Sequence, residues 1–260
     1  MIRIDEVTKA YKNGPRAVDN VSLEIRQGEF MVLVGPSGCG KSTLLKLIAG
    51  IEEVTAGRIE IGERDVTHLD PRKRDIAMVF QNYALYPHLS VRANLGFGLK
   101  LRKTSKAEIA ERVDEVAKIL GLEDMLDRKP GELSGGQRQR VWIAMTLAQG
   151  TGLMLLDEPT TYLDLAHQVE VLDLLVDLNQ REGRTIVLVL HDLNQACRYA
   201  HHLIAMRDGA IVAEGAPSSI VTPELVTDVF GLPCRVIEDP VSATPMVVPI
   251  GRHLNVASET

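Results

Sequence analysis

Residues 35–42 read GPSGCGKS and fit the pattern G-x-x-x-x-G-K-[ST]. The five residues before them, FMVLV, are an unbroken apolar run, and TLLKLIAG after them has helical apolar spacing. A strand that is apolar at every position must be covered on both faces, which points to a largely parallel α/β sheet. A glycine turn between such a strand and a helix lets backbone N–H groups close around phosphate oxygens at the positive end of the helix. The expected phosphate cradle is Gly35, Pro36, Ser37, Gly38, Cys39 and Gly40. Lys41 is placed to reach the β- and γ-phosphates of a nucleotide, and Ser42 to offer its hydroxyl to Mg²⁺. Thr43 completes this stretch of expected cofactor contacts. Without a ligand the same residues would be a glycine-rich strand–helix turn; the Lys-Ser pair in this context argues against that.

The 260 residues suffice for one large or two small domains. Ile2–Val7, Val21–Ile25 and Arg58–Ile61 alternate as strands, with turns expected at Asn13-Gly14 and Gln27-Gly28. After the first helix, to about Ala49, an apolar strand is expected over Ile76–Phe80 and a helical block from Val91 to Ala148. Within that block, Ala107–Leu120 carries apolar residues three and four apart. Buried strands are expected again at Leu153–Leu156 and Thr185–Leu190, with a helix over Leu165–Gln180 between them. Asp208-Gly209 between two apolar runs signals a hairpin. The fold class is therefore α/β: a mixed sheet with an antiparallel β part at the N-terminal end and an inserted α-helical subdomain at about 91–150. The tail after Gly231 shows no clear period.

Net charge is −6, so bulk electrostatics give no support to a nucleic-acid partner. The three cysteines, Cys39, Cys197 and Cys234, have no metal-ligand spacing and suit a reducing compartment. No run is apolar enough to span a bilayer, and the N-terminus reads as a strand rather than a signal peptide. Any membrane role is expected to come through a partner.

Two further motifs carry chemistry. LMLL at 153–156 buries a strand, and Asp157 and Glu158 emerge at its C-terminal end, where open α/β sheets bind ligands. Asp157 suits an indirect or water-mediated Mg²⁺ contact, and Glu158 suits polarisation of an attacking water. Alone, such a pair is most often a solvated strand end; beside a phosphate loop the functional reading wins. At Leu133-Ser134-Gly135-Gly136-Gln137, Ser134 reads as a helix N-cap, and the glycines expose N–H groups at a helix start, a second anion site.

With these motifs in hand, residues 1–231 resemble the nucleotide-binding subunit of ATP-binding cassette (ABC) transporters, with a P-loop ATPase core, and residues 232–260 form a short C-terminal extension. The resemblance implies an ATPase that binds ATP and Mg²⁺. Tyr11 matches the aromatic that stacks on adenine. Gln81 matches the glutamine that touches Mg²⁺ and water and signals to the membrane subunit. Glu158, His191 and Gln81 make the implied catalytic set, with Ser42, Gln81 and Asp157 at the metal. Ser134, Gly135, Gly136, Gln137 and Asp164 match residues that close on a nucleotide across a pair of cassettes. The implied partners are a second cassette (homodimer or heterodimer), transmembrane subunits and, indirectly, an extracytoplasmic solute-binding protein. The implied location is the cytoplasmic face of the membrane, as a peripheral subunit.

The text of the chain has two dialects. Residues 1–140, with MVFQNYALYPHLSVRANLGFGLKLRK, resemble the ATPases of maltose- or multiple-sugar importers. From Val141, VWIAMTLAQGTGLMLLDEPTTYLDLAHQVEVLDLL and HDLNQACRYAHHLIAM resemble iron–siderophore importer ATPases, and Tyr162 stands where the sugar group typically shows Asn. Recombination, deliberate chimera-making, misassembly and a divergent natural subfamily all remain open as origins. The groove expected to receive a membrane subunit, from Gln81–Gly98 and the helical block, lies in the sugar-like half.

Overall fold

The structure, a computed structural model, describes residues 1–12, 14–79, 85–161 and 163–251. Gln81, Phe80, Asn13 and Tyr162 lie outside the described residues. In chain order, β1 (Ile2–Ala10), β2 (Arg16–Ile25) and β3 (Phe30–Val34) lead to α1 (Lys41–Ala49). Then follow β4 (Ala56–Ile61), β5 (Arg64–Asp65) and β6 (Ile76–Val79). The helical block holds α2 (Val91–Leu95), α3 (Phe97–Leu101), α4 (Lys106–Leu120) and α5 (Gly135–Ala148). After it come β7 (Leu153–Asp157), α6 (Leu165–Glu182), β8 (Thr185–Val189), α7 (Leu193–Tyr199), β9 (His202–Arg207) and β10 (Ala210–Gly215). The chain continues through α8 (Pro217–Ile220), α9 (Pro223–Phe230), β11 (Cys234–Glu238) and β12 (Pro245–Pro249).

The central sheet runs β10-β9-β3-β8-β7-β6, parallel except for the antiparallel β9–β10 hairpin. A second, antiparallel sheet runs β2-β1-β4-β5. The mixed α/β class read from the sequence is the class observed. β3, β7 and β8 are buried at every residue, because alternate side chains enter two different cores. Met31, Leu33, Leu155, Val187 and Met206 pack with α1 and the antiparallel sheet. Phe30, Val32, Met154, Leu156 and Leu188 face α5, α6 and α7. A sheet covered on both sides exposes only its strand ends, and the chemistry-bearing residues sit at those ends.

The irregular tail is a two-stranded hairpin, β11–β12, where the sequence showed no period. It docks on α7. The Asn194 carboxamide donates to the Val247 carbonyl (3.2 Å) and accepts from its N–H (2.7 Å). Arg198 donates to Asp239 at 2.6 Å. Arg74, 3 % exposed, is a structural cation: its guanidinium donates to the Leu47 and Ile48 carbonyls that end α1, and to Thr67 and Leu69. It thereby completes the C-terminus of the helix whose N-terminus carries Lys41.

Candidate nucleotide-binding site

The loop after β3 turns into α1 through Gly40 at φ +106°, where no side chain caps the helix. A Cβ at Gly40 would collide with the Ala17 carbonyl, and one at Gly35 with that of Met206. Glycine is thus required by close approach as well as by φ. The loop is anchored from outside. Asp208 and Gly209, both at positive φ, form the turn between β9 and β10, and the Gly209 N–H donates to the Cys39 carbonyl at 3.0 Å. Inside it, the Lys41 ammonium donates to the carbonyls of Gly35 (2.8 Å) and Pro36 (2.9 Å). The uncapped N–H groups of α1 remain directed at whatever anion fills the turn.

Ser42 donates its hydroxyl to Asp157 Oδ1 at 2.7 Å. Burial pushes the Asp157 carboxyl above its ordinary range and neighbouring Glu158 adds to this, while the Ser42 bond, Lys46 and Lys41 oppose it. Glu158 has a left-handed backbone, φ +55°, uncommon for a residue with a Cβ. That turn aims its side chain across the strand ends: Oε1 lies 2.8 Å from His191 Nε2, and Oε2 accepts from the Thr161 hydroxyl at 3.3 Å. A cavity of about 310 Å³ is lined by Ser37, Gly38, Gly40, Lys41, Ser42, Thr43, Glu158 and His191. The fold therefore brings together three stretches of chain that lie far apart in sequence. A hollow of about 380 Å³ between α4, α5 and α6 is larger but presents Glu170, Asp173 and Asp177, the wrong charge for a phosphate.

Ligands for a hard divalent cation are present in part. A hydroxyl and a buried carboxylate, 2.7 Å apart, offer oxygen donors of the type Mg²⁺ takes, with room for phosphate and water oxygens to complete the shell. Among the described residues no cluster of three or more His, Cys, Asp and Glu could hold a metal by itself.

The family model for ABC transporters matches residues 18–161. The chain belongs to the ABC transporter family. It is similar to the probable siderophore transport system ATP-binding protein YusV of Bacillus subtilis, 46% identical over 249 residues, covering 93% of this chain and 90% of that protein. It is also similar to the sn-glycerol-3-phosphate import ATP-binding protein UgpC of Brucella abortus, 50% identical over 216 residues. That match covers 83% of this chain but only 62% of the longer relative. Among solved structures, the dimer of the ATP-binding cassette MJ0796 in a post-hydrolysis state bound to ADP and Pi superposes with a TM-score of 0.75. Its sequence is 37% identical, and the match covers 83% of this chain and 98% of that one. The chain is an ABC-type ATPase that binds ATP.

Among the described residues, Tyr11, Ser134, Gly135, Gly136, Gln137 and Asp164 do not line the cavity. Ser134 caps α5 as the sequence implied: its hydroxyl accepts from the Gln137 N–H (3.3 Å) and its own N–H donates to Gln137 Oε1 (2.9 Å). Gly135 and Gly136 form the first turn. Asp164 caps α6, accepting from the His167 N–H at 3.0 Å and meeting the His167 ring at 2.6 Å; these bonds to His167 hold its carboxyl below the usual range. Tyr11 follows β1, 44 % exposed, with Lys9 Nζ 4.9 Å from its ring centroid. An exposed ring of this kind is free to stack on a base.

Several participants were not legible in the sequence. Gln139 on α5 is buried and donates to the Pro159 carbonyl, tying the signature helix to the segment just after Glu158. The His167 ring packs against Gly136. Gln168 and Gln195 bond to each other across α6 and α7. Each is an ordinary polar residue at a helical position, and only the tertiary contact gives it a role.

Proposed function

We propose that this cassette powers solute import: two copies pack head to tail, each ATP is held between the 35–43 loop of one chain and Ser134–Gln137 of the other, and hydrolysis reopens the pair. The observation that supports this most is the cavity where Lys41, Ser42, Glu158 and His191 converge. Its lining comes from one chain, so a triphosphate bound there would need a second surface to enclose the γ-phosphate. ATP then favours the closed pair through contacts that exist only there.

In this reading Lys41 leaves the Gly35 and Pro36 carbonyls for the β- and γ-phosphate oxygens. Glu158 accepts a hydrogen bond from the attacking water and orients it in line with the γ-phosphorus. His191, already bonded to Glu158, steadies that carboxylate and donates towards the phosphate. Ser42 and Asp157 would hold Mg²⁺, Asp157 indirectly or through a water, and the ion would supply positive charge to the phosphate oxygens. Gln81, outside the described residues, is assigned to the metal and water, Tyr11 to adenine, and Asp164 to the dimer interface.

Residues 1–231 form the ATP-binding domain, with a helical subdomain at about 91–150, and 232–260 a C-terminal extension. Membrane subunits dock along the groove of residues 81–98 and the helical subdomain, of which Gly98, Leu101 and Arg102 line a cavity of about 450 Å³ with Ile51, Met78 and Gln149. That docking makes the chain a peripheral subunit at the cytoplasmic face of the membrane. No helix among the described residues is long and apolar enough to cross a membrane by itself. A solute-binding protein joins indirectly. The near end-to-end match to a siderophore-system relative favours an iron–siderophore cargo. A sugar-type cargo is the second reading, supported by 47% identity over 220 residues to the diacetylchitobiose uptake system ATP-binding protein MsiK of Streptomyces coelicolor.

The test is Glu158→Gln, which keeps the shape but cannot take a proton from water. It should bind ATP, lose turnover by at least about a hundredfold, and run as a dimer on gel filtration with ATP. A monomer with unchanged turnover would sink the assignment.

A further inference from the structure

We propose that Gln168 and Gln195 are positioning residues that fix the Leu163–Asp164 loop to the segment bearing His191. The Gln195 side-chain N–H donates to Gln168 Oε1 at 2.7 Å, and Gln168 Nε2 donates in turn to the Leu163 carbonyl at 2.9 Å. The Gln195 main-chain N–H donates to Asp192 Oδ1 at 2.9 Å, and Asp192 adjoins His191. His191 meets Glu158 at 2.8 Å, and from Glu158 the chain returns to Leu163 through a turn in which the Leu163 N–H donates to the Thr160 carbonyl at 3.3 Å. The bonds close a ring: Glu158, His191, Asp192, Gln195, Gln168, Leu163, and back along the chain to Glu158.

Two half-buried carboxamides are well suited to this task. Each offers a donor and an acceptor at the end of a two-carbon arm, and neither changes charge with pH. Gln168 sits in the first turn of α6 and Gln195 in the first turn of α7, so the pair bridges the starts of the two helices that follow the two reactive segments. A shift of the Leu163–Asp164 loop pulls on Gln168, then on Gln195, and rotates the start of α7 together with the adjoining His191. On the dimer reading above, that loop touches the second copy. The ring then registers closure of the pair at the Glu158–His191 contact, and hydrolysis waits on it.

The experiment compares Gln168→Ala, Gln195→Ala, the double variant and Gln195→Lys, in the full chain. It measures melting temperature, affinity for a fluorescent ATP analogue, and kcat and KM for ATP. Glu158→Gln runs beside them as the control on the functional reading. Each alanine variant should bind nucleotide within about twofold of the parent and lose about tenfold in kcat, and the double variant should lose no more than either single one. Gln195→Lys keeps a donor aimed at Gln168 Oε1 and should recover most of kcat. Parental kcat in the alanine variants overturns the proposal, as do additive losses or failure of a folded lysine variant to recover turnover. If Glu158→Gln itself retains turnover, the catalytic reading fails instead, whatever the glutamine variants do.

Discussion

Lys41 and Ser134 belong to the two faces of the proposed site, and substitution separates them. Lys41→Ala removes the side-chain charge nearest the loop and should weaken ATP binding to a single chain by roughly 2–3 kcal/mol, about thirtyfold or more. Ser134→Arg should leave that affinity unchanged and block pairing, because Ser134 does not line the cavity. Titration of a fluorescent nucleotide and gel filtration distinguish the two outcomes. Equal loss of affinity in both would contradict the two-surface arrangement. Asp157 offers a second contrast. Its folded carboxyl titrates above the ordinary value because it is buried, so stability falls as pH rises from the unfolded value of 3.8 through the raised one. Asp157→Asn keeps an acceptor for the Ser42 hydroxyl and removes the charge. It should raise the melting temperature of the nucleotide-free protein while lowering Mg²⁺-dependent turnover; a lower melting temperature would show that the charge is stabilised by its neighbours. Cys197 shifts in the same direction: burial pushes its thiol up to about 12, with Asp192 adding to this, which disfavours alkylation at neutral pH in the folded chain.

The C-terminal hairpin is held to α7 by Arg198 and Asp239, and that contact has a defined pH dependence. The Arg198 bond, followed by N–H donors from Val241 and Ser242, lowers the Asp239 carboxyl to about 2. A depressed acid stabilises the fold above its unfolded pKa of 3.8 and loses that contribution as pH falls towards 2. Asp239→Asn should therefore loosen the hairpin at neutral pH, seen as faster hydrogen exchange over 234–249, and the difference from the parent should shrink as pH falls from 3.8 to about 2. A difference independent of pH would mean that packing alone holds the hairpin. The sequence did not show this element, and the reason is physical. Two strands joined by a turn bury only Cys234 and Val247, so no alternating pattern develops. By contrast β3, the glycine loop and α1 are readable because their chemistry is local: an all-apolar strand, glycines at positive φ, and an uncapped helix start. Ser134 was legible as a cap for the same reason, since Gln137 completes the box three residues on. The seven residues of α7 were too few to establish a period. The contacts of Gln139 with Pro159 and of Gln168 with Gln195 join residues 20 and 27 apart, beyond the reach of any local pattern.

At the scale of the molecule, the two dialects of the sequence meet inside one sheet. β3 and β6 come from the part before residue 140, and their sheet neighbours β7, β8 and β9 all come from the part after it. The halves are interleaved, β3 sitting between β9 and β8 and β6 against β7, and Phe30 pairs with Ile186 and Met78 with Leu155. Whatever the origin of the junction, mismatched core volumes there would cost about 1–3 kcal/mol each. The cavity at Ile51, Met78 and Leu101, the proposed docking site, is formed largely by the first part. Contact residues set partner choice by the cavities and unpaired groups they leave. If the cavity residues decide partner choice, reconstitution with one sugar-type and one siderophore-type membrane pair should give ATPase stimulation with the sugar-type pair and would make the sugar-type cargo the better reading; stimulation only by the siderophore-type pair would move the determinant to the second part and uphold the siderophore cargo. The interleaving also orders events in time. During synthesis the phosphate loop is complete long before β8 and β9 exist to flank β3, so the apolar strand Phe30–Val34 must wait, unpaired, until Thr185 and the residues beyond it have been added. Such distant pairing makes folding slow and leaves the growing chain prone to aggregate. The growing chain is most exposed to aggregation during the interval when its nucleotide motif has been synthesised but its fold has not formed.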